Sequence, residues 1–337
     1  MIKEAVLLIN LGTPDEPTPS KVGQYLTQFL NDKRVIDINP VGRFILVNMI
    51  IVPFRRFASS KLYQKIWTKN GSPLLLHGIE LKEKVQKELG ENYIVELAMR
   101  YRKPSIRSVL NKLREQKPSR IHILPLYPQY ASSSTGSTME EVMDELKTWE
   151  VIPSFNFISK FYDQPAFIKA FTAIAKQYDH SQYDHVLFSY HGLPERQILK
   201  ASAHYGNNTC KMGSCCDAIT KNNQYCYRAN SMETTRQLVK ALNIPEGKYS
   251  SAFQSRLDDK WLKPYSDKVV KELAEKGAKK VLVFSPAFVA DCLETIYEIG
   301  TEYDEIFKEH GGEKITLVPS LNASDEWVKA LKEMLKR

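Results

Sequence analysis

Short apolar runs alternate along the chain with longer segments in which apolar residues recur at helical spacing. This alternation is typical of parallel strands joined by crossover helices. It predicts strands at residues 5–10, 94–100, 121–127, 156–161, 186–190, 250–255, 281–285 and 315–319. It predicts helices at residues 105–115, 165–178, 215–242, 263–276, 292–309 and 325–336. The predicted fold class is therefore α/β, with two Rossmann-like domains, each a parallel sheet flanked by helices.

The strand count divides the chain into two predicted domains. The first covers residues 1–154, and residues 42–76 form an excursion from it, because the apolar residues there fit the alternation poorly. The second covers residues 155–322. Residues 323–337 are predicted to form a final helix that packs back on the first domain.

The composition indicates a globular protein long enough for two domains, since the 337 residues are 43% hydrophobic and 26% charged. The 47 Lys and Arg residues outnumber the 39 Asp and Glu residues, and they are spread along the chain. A nucleic-acid partner is therefore not expected.

The amino terminus passes from a short apolar run directly into a Gly/Pro turn, without the basic region and cleavage site of a secretory signal. A cytoplasmic protein is expected. The apolar run at residues 44–54 is shorter than the roughly 20 residues that span a bilayer. It is long enough for peripheral contact with the inner face of the cytoplasmic membrane, unless its side chains are simply buried.

His191 follows the predicted strand 186–190 and precedes the turn residues Gly192 and Pro194. Ligands of parallel α/β sheets sit at the carboxyl ends of the strands, so this is a suitable place for a functional histidine. The alternative is a structural histidine bonded to a loop carbonyl.

A second cluster follows the predicted strand 281–285. Glu294, Glu298 and Glu302 recur every four residues, and Asp291 precedes them. Four-residue spacing puts the carboxylates roughly along one helix face. Such a row suits a divalent cation moving between weak oxygen sites, but it is also common on a solvated helix.

Several motifs of this chain, in the same order, resemble those of the ferrochelatases, which insert ferrous iron into a porphyrin to make haem. They lie at residues 10–14, 100–101, 124–130, 133–137, 189–195, 253–256 and 286–298. Separate motifs in register over essentially the whole chain are more specific than any single one. The resemblance implies the two-domain chelatase fold and the insertion of Fe²⁺ into protoporphyrin IX, the last step of haem biosynthesis.

The resemblance also implies roles for the two clusters. His191 and Glu294 would share the metal contact and the removal of pyrrole protons, and which of them does which stays open. A neutral imidazole accepts a proton or binds a borderline metal, and a carboxylate offers a harder oxygen ligand. Glu298 and Glu302 would extend an acidic line for metal approach or proton removal, and Asp291 would support catalysis.

The porphyrin contacts are likewise implied by the resemblance. Leu11, Arg100 and Phe288 would lie around the ring, and Arg55, Tyr63 and Ser72 towards the propionates. An Arg side chain pairs well with a carboxylate. The apolar run at residues 44–54 would form the hydrophobic lip of the pocket.

Four of the five cysteines, Cys210, Cys215, Cys216 and Cys226, lie close together with the spacing C-x4-C-C-x9-C. This spacing matches neither a zinc ribbon nor the common ferredoxin runs. It resembles the internal cysteines of some bacterial ferrochelatases, which implies a [2Fe–2S] cluster. Structural zinc and free thiols are the alternatives, and Cys292 stands apart with no predicted role.

Three rival functions stay open at this point. A coproporphyrin ferrochelatase or a cobalt-type chelatase would use the same fold and similar motifs. A non-catalytic tetrapyrrole carrier would need the pocket but not His191 and Glu294, because fold alone does not fix function.

Overall fold

The computed structural model describes residues 3–204 and 210–336. Within these ranges the chain forms two compact units. The first contains residues 3–127, 131–160 and 335–336, and the second contains residues 128–130, 161–204 and 210–334. The main change of unit therefore falls at residue 160, whereas the sequence predicted it at residue 154.

The first unit contains four parallel strands: β1 (Glu4–Gly12), β2 (Tyr93–Tyr101), β3 (Arg120–Pro125) and β4 (Ser154–Phe157). They pair in the order β2-β1-β3-β4. Residues 5–10 of the central strand β1 are all buried, so both faces of this strand are covered. That burial explains why the strand appears in the sequence as a continuous apolar run.

The helices described in the first unit are α1 (Pro19–Leu30), α2 (Pro40–Ile45), α3 (Val52–Ile66), α4 (Pro73–Leu89), α5 (Ile106–Glu115) and α6 (Ser137–Leu146). Two π-helical segments, Leu46–Ile51 and Ser132–Gly136, lead into α3 and α6. The excursion predicted at residues 42–76 is thus mostly helical. Helix α1 begins at Pro19, where the Thr18 side chain accepts a hydrogen bond from the Lys21 amide.

The second unit repeats the design with β5 (His185–His191), β6 (Tyr249–Gln254), β7 (Lys280–Phe284) and β8 (Lys314–Leu317). These strands are parallel and pair in the order β6-β5-β7-β8. The two parallel sheets confirm the predicted fold class. Strands β5, β6 and β7 are neighbours, so their carboxyl ends meet at one edge of the sheet.

The α-helices described in this unit are α7 (Pro165–Ala175), α8 (Glu195–His204), α9 (Tyr227–Leu242), α10 (Ser266–Glu275), α11 (Asp304–Glu309) and α12 (Asp325–Leu335). A π-helix, Glu294–Tyr303, precedes α11. The predicted helix at residues 215–242 is wrong at its start, because a helical segment of only three residues, Ser214–Cys216, and turns precede α9. Trp327 of α12 packs on Phe161 and Phe167 within this unit, with ring centroids 5.7 and 6.1 Å away.

Candidate active site

His191 is the last residue of β5, at the carboxyl edge of the second sheet. Its Nδ1 lies 2.6 Å from the backbone carbonyl of Gly192. Because a carbonyl oxygen only accepts hydrogen bonds, Nδ1 carries a proton, and in the neutral imidazole the lone pair is then on Nε2. The bond therefore selects the tautomer whose free nitrogen accepts a proton or binds a metal. The rings of Trp261 and Phe288 lie 6.5 and 6.2 Å from the imidazole.

The peptide unit between His191 and Gly192 is held at both ends. Its carbonyl accepts a hydrogen bond from the Tyr227 hydroxyl at 2.9 Å, and its N–H donates to the Gln254 carbonyl at 2.8 Å. A Cβ atom at position 192 would lie 2.7 Å from that carbonyl oxygen and 3.2 Å from the Trp261 ring. Only glycine fits here without displacing its neighbours.

Gln254 connects the His191 turn to the acidic helix. It ends β6, is almost fully buried, and donates from Nε2 to the backbone carbonyl of Glu294 at 2.8 Å. Its own backbone carbonyl accepts from Gly192, as described above. One residue thus joins the strand that carries His191 to the first turn of the π-helix that carries Glu294.

The Glu298 carboxylate is fixed by protein donors. Its Oε1 accepts from the Ser255 amide at 2.7 Å and from the Tyr303 hydroxyl at 2.8 Å. Its Oε2 accepts from the Ser255 hydroxyl and from Gln254 Nε2. Ser255 has a φ of 61°, an unfavourable backbone conformation for a non-glycine residue, and the two bonds to Glu298 stabilise it. Burial and the nearby carboxylate raise the pKa of the Tyr303 phenol, so Tyr303 remains a donor.

The three glutamates become more exposed along the π-helix. Glu294 and Glu298 are half-buried, whereas Glu302 is exposed. Of the three predicted carboxylates, the last is therefore the one most open to solvent. It lies on a π-helix rather than on the α-helix assumed from the spacing.

Asp291 lies just before this helix and binds the loop that follows β8. Its Oδ1 accepts from the Thr295 hydroxyl and the Ser320 amide, both at 3.1 Å, and its Oδ2 accepts from Asn322 Nδ2 at 2.8 Å. These contacts anchor the start of the π-helix. Nearby Cys292 is buried, and burial together with the Glu294 carboxylate raises the pKa of its thiol.

The porphyrin contacts predicted in the first unit have varied surroundings. Ser72 and Tyr63 are buried, Leu11 is half-buried and Arg55 is exposed. The Ser72 hydroxyl lies 2.8 Å from that of Thr13.

Arg100 is engaged in an internal network of the first unit. Its guanidinium bonds Asp32 at 2.8 Å and the Ser137 hydroxyl at 2.7 Å, and it lies 3.2 Å from Glu141. The Tyr101 hydroxyl donates to the same Asp32 oxygen at 2.9 Å. Arg100 and Asp32 are largely buried, with side chains 14% and 5% exposed.

The four clustered cysteines form two thiol pairs in the second unit. Cys210 lies near Cys215, and Cys216 lies near Cys226. The neighbouring Cys216 thiol lowers the pKa of Cys226, whereas burial and neighbouring thiols raise the pKa of Cys210 and Cys216. All five cysteines are free thiols, and over residues 3–204 and 210–336 no three His, Cys, Asp or Glu side chains are arranged to hold a metal ion. The donors suit a soft metal or a cluster in type and number, but not yet in arrangement.

The excursion exposes large apolar side chains. Phe44, Met49 and Phe54 are 60, 66 and 77% exposed, so the alternative that they are buried is wrong. Arg55 is exposed beside them. Among the described residues, no helix is both long and apolar enough to cross a membrane.

Sequence reasoning missed Tyr227, Gln254, Ser255 and Trp261 as parts of this site. Gln254 and Ser255 belong to one of the motifs that carry the resemblance, so that motif was a signal for them. Tyr227 and Trp261 reach the His191 turn from positions far along the chain, and the sequence offers no signal for either contact.

Comparison with known proteins gives consistent results. The ferrochelatase family model matches residues 3–337. A ferrochelatase of Coxiella burnetii is 45% identical over 337 residues, covering 99% of this chain and 94% of the relative. A ferrochelatase of Legionella pneumophila is 44% identical over 335 residues, covering 99% of both chains.

Similarity to a solved structure supports the fold alone. The sirohydrochlorin chelatase SirB of Bacillus subtilis, solved in complex with cobalt, aligns with a TM-score of 0.55 at 11% identity. The alignment covers 99% of this chain and 94% of that one. With a family model matched over nearly its full length and curated relatives at 44–45% identity, the chain belongs to the ferrochelatase family of metal chelatases.

Proposed function

We propose that this ferrochelatase inserts Fe²⁺ into protoporphyrin IX to give protohaem, with His191 and Glu294 as its reacting side chains. The observation that carries the proposal is the bond from His191 Nδ1 to the Gly192 carbonyl, which leaves the Nε2 lone pair available. Gln254 supports the pairing of His191 with Glu294, because it binds both segments.

The reaction exchanges two pyrrole protons for one Fe²⁺ ion. His191 Nε2 accepts a pyrrole proton and becomes an imidazolium, whose Nδ1–H stays on the Gly192 carbonyl. The Glu294 carboxylate first replaces a water ligand of the iron, since carboxylate oxygen is a suitable ligand for a divalent cation, and it takes the second pyrrole proton when the iron passes to the ring. Two protons leave and two positive charges enter, so charge balances over one turnover.

Glu298 and Glu302 serve the passage of protons or metal between Glu294 and the surface. Four hydrogen bonds hold the Glu298 carboxylate in place. It therefore serves as a fixed intermediate site for the passing proton or metal, and not as a ligand that moves with the metal. The exposure of Glu302 supports exchange with solvent at the outer end. We assign Asp291 a positioning role at the start of the π-helix, because its oxygens are engaged by Thr295, Ser320 and Asn322.

The porphyrin contacts are part of the same proposal. The distance of 6.2 Å between the Phe288 and His191 rings supports a contact of Phe288 with the macrocycle. Leu11, Tyr63, Ser72 and the exposed Arg55 keep their predicted roles at the ring and the propionates. Arg100 acts from within its network with Asp32, as a positioning residue instead of a free partner for a propionate.

The test is an anaerobic assay of Fe²⁺ insertion with protoporphyrin IX, repeated with coproporphyrin and with Co²⁺. His191→Ala and Glu294→Gln are expected to reduce kcat by at least about 10²-fold while porphyrin binding persists. Glu305→Gln, which removes an exposed carboxylate from the following helix α11, is the control and is expected to keep full turnover.

Three outcomes would contradict the proposal. Loss of porphyrin binding in Glu294→Gln would make this residue part of the pocket wall. Faster turnover of coproporphyrin or Co²⁺ would reassign the substrate. Binding of porphyrin without conversion by the wild-type protein would favour the carrier function.

We further propose that Cys210, Cys215, Cys216 and Cys226 hold a [2Fe–2S] cluster, with structural zinc as the alternative. The proximity of the four thiols to one another supports a shared site. When bound, such a group would crosslink the cysteine segment, and the segment would have to rearrange to receive it. A visible spectrum and metal analysis of anaerobically purified protein separate the cluster from zinc, and Cys226→Ser is expected to remove either.

Finally, we propose peripheral contact of the excursion with the cytoplasmic membrane. Exposed Phe44, Met49 and Phe54 beside a basic residue support insertion into the interface of an anionic bilayer. The wild-type protein is expected to sediment with vesicles that contain phosphatidylglycerol, whereas the variant Phe54→Ser is expected to stay in the supernatant. Equal capture of both proteins would contradict this contact.

A further inference from the structure

Tyr227 links the cysteine segment to His191. It is the first residue of α9, and Cys226 is the capping residue before it. Its hydroxyl donates to the backbone carbonyl of His191 at 2.9 Å. The Tyr227 side chain is almost fully buried.

The receiving end of this bond is otherwise rigid. The N–H of the same peptide unit is bound by the Gln254 carbonyl at 2.8 Å, and Gly192 has no room for a side chain. The Gly192 carbonyl in turn accepts from His191 Nδ1 at 2.6 Å. A movement of this peptide therefore moves the imidazole. Gln254 binds the N–H of the peptide, and Tyr227 binds its carbonyl.

The donating end is tied to the cysteines. The Cys226 amide donates to the Asn223 carbonyl at 2.8 Å, and Asn223 Nδ2 donates to the Cys215 carbonyl at 2.8 Å. Arg236 of α9 donates to the Cys216 carbonyl at 3.0 Å. A rearrangement of the thiols would thus act on the first turn of α9, where Tyr227 lies.

We propose that Tyr227 is a positioning residue for His191 and that it makes the position of His191 depend on the state of the cysteine segment. The inference rests on the proposed role of His191 in metal insertion. It holds whichever group the thiols bind, because the link consists of this chain's own hydrogen bonds. Loss of a hydrogen bond that orients a metal-binding histidine typically costs about 10- to 100-fold in activity or affinity.

The first test is Tyr227→Phe, which removes only the hydroxyl. We expect kcat for iron insertion to fall about 10-fold while KM for the porphyrin stays within about twofold, because the side chain orients a reacting group. Tyr190→Phe is the matched control, since it removes a buried hydroxyl one residue before His191 that bonds Thr235 at 2.8 Å. Equal losses in both variants would mean general loosening of the core and would overturn the proposal.

The second test is a double-mutant cycle. Cys226→Ser is expected to lower kcat in the presence of Tyr227 and to have no further effect in Tyr227→Phe, because the link is already cut. Additive effects of the two substitutions would show that the cysteine segment acts on the site by another route, or not at all.

A third readout needs no turnover. In protein labelled with ¹⁵N-histidine, with the His191 resonances assigned through His191→Ala, both Cys226→Ser and Tyr227→Phe are expected to shift the imidazole signals, and Tyr190→Phe is not. Unchanged signals in Cys226→Ser would overturn the link, also if Tyr227→Phe failed to fold. If the wild-type protein converted no porphyrin but the His191 signals still shifted in both variants, the proposed function would be refuted and the link between Cys226 and His191 would remain supported.

Discussion

Gln254 donates from its side chain to the backbone carbonyl of Glu294 at 2.8 Å, and its own carbonyl accepts from the amide of Gly192. Through this one residue, the turn after β5 and the first turn of the π-helix are held in register. The relative position of the two predicted reacting side chains therefore depends on a residue to which the sequence assigned no role.

The first prediction concerns this connection. Gln254→Leu keeps the volume of the side chain but removes the donor to Glu294 and to Glu298. We expect kcat for iron insertion to fall about 10- to 100-fold, because the acidic helix loses its contact with the His191 turn. The measurement is steady-state insertion with porphyrin affinity determined separately by fluorescence quenching. An unchanged kcat would show that the two bonds from Ser255 to Glu298 suffice to hold the segments together.

Gly192→Ala is expected to be damaging. Its Cβ would lie 2.7 Å from the Gln254 carbonyl oxygen, a backbone atom of β6 that cannot turn aside as a flexible side chain could. We expect a loss of about 1–3 kcal/mol in the free energy of unfolding, together with reduced turnover. Gly300→Ala on the π-helix is the control, since its nearest neighbour is an ordinary contact at 3.6 Å. Chemical denaturation compares the two, and equal stability would contradict the tight fit.

The buried pair of Arg100 and Asp32 gives a third prediction. Asp32→Leu leaves the Arg100 guanidinium largely buried without its main partner and is expected to cost about 3–5 kcal/mol in the free energy of unfolding. Arg100→Met combined with Asp32→Leu removes both charges and is expected to recover part of that loss. Urea denaturation measures both variants. A double variant less stable than Asp32→Leu would mean that Arg100 stabilises the fold through other contacts.

The fourth prediction concerns pH. Burial lowers the pKa of His185 from its ordinary value of 6.5, with Lys248 adding to the effect. The folded state therefore holds this imidazole neutral, and the unfolded state binds the proton first as pH falls. Stability due to this group is complete above about pH 6.5 and decreases below it, by at most about 1.4 kcal/mol per pH unit.

The variant His185→Gln checks this assignment. Its free energy of unfolding is expected to fall less between pH 7.5 and pH 5 than that of the wild-type protein, and Ser250 stays available to bond the new amide. Parallel pH dependence of the two proteins would place the acid sensitivity in other groups.

Much of the fold could be predicted from the sequence, for an identifiable reason. Strand β5 was predicted at 186–190 and runs from His185 to His191, because a strand covered on both faces must be continuously apolar. The excursion could not be recognised as helical, since many of its apolar side chains point into solvent while others are buried, so the apolar positions do not form one helix face. The spacing of apolar residues before α9 predicts helix, but Asn223 donates to the Cys215 and Ala218 carbonyls and stabilises a turn instead.

The candidate site was predictable only in part. His191 and Glu294 follow strands and belong to recognisable motifs, so position and resemblance agree on them. The contact between Tyr227 and His191 joins residues on different elements with no shared motif, and only the packing of α9 against β5 creates it. The sequence also does not predict the π-helix at Glu294–Tyr303, because the four-residue recurrence of the glutamates is equally compatible with an α-helix.

The peptide between His191 and Gly192 is hydrogen-bonded at both its carbonyl and its N–H. This limits how the metal specificity of the site could change during evolution or in design. An anchored imidazole is a fixed reference point, so a new metal or ring must be accommodated around it by altered neighbours such as Phe288 or Trp261. Diversification in this unit is then expected in the walls facing His191, while Gly192, Gln254 and Tyr227 tolerate little exchange.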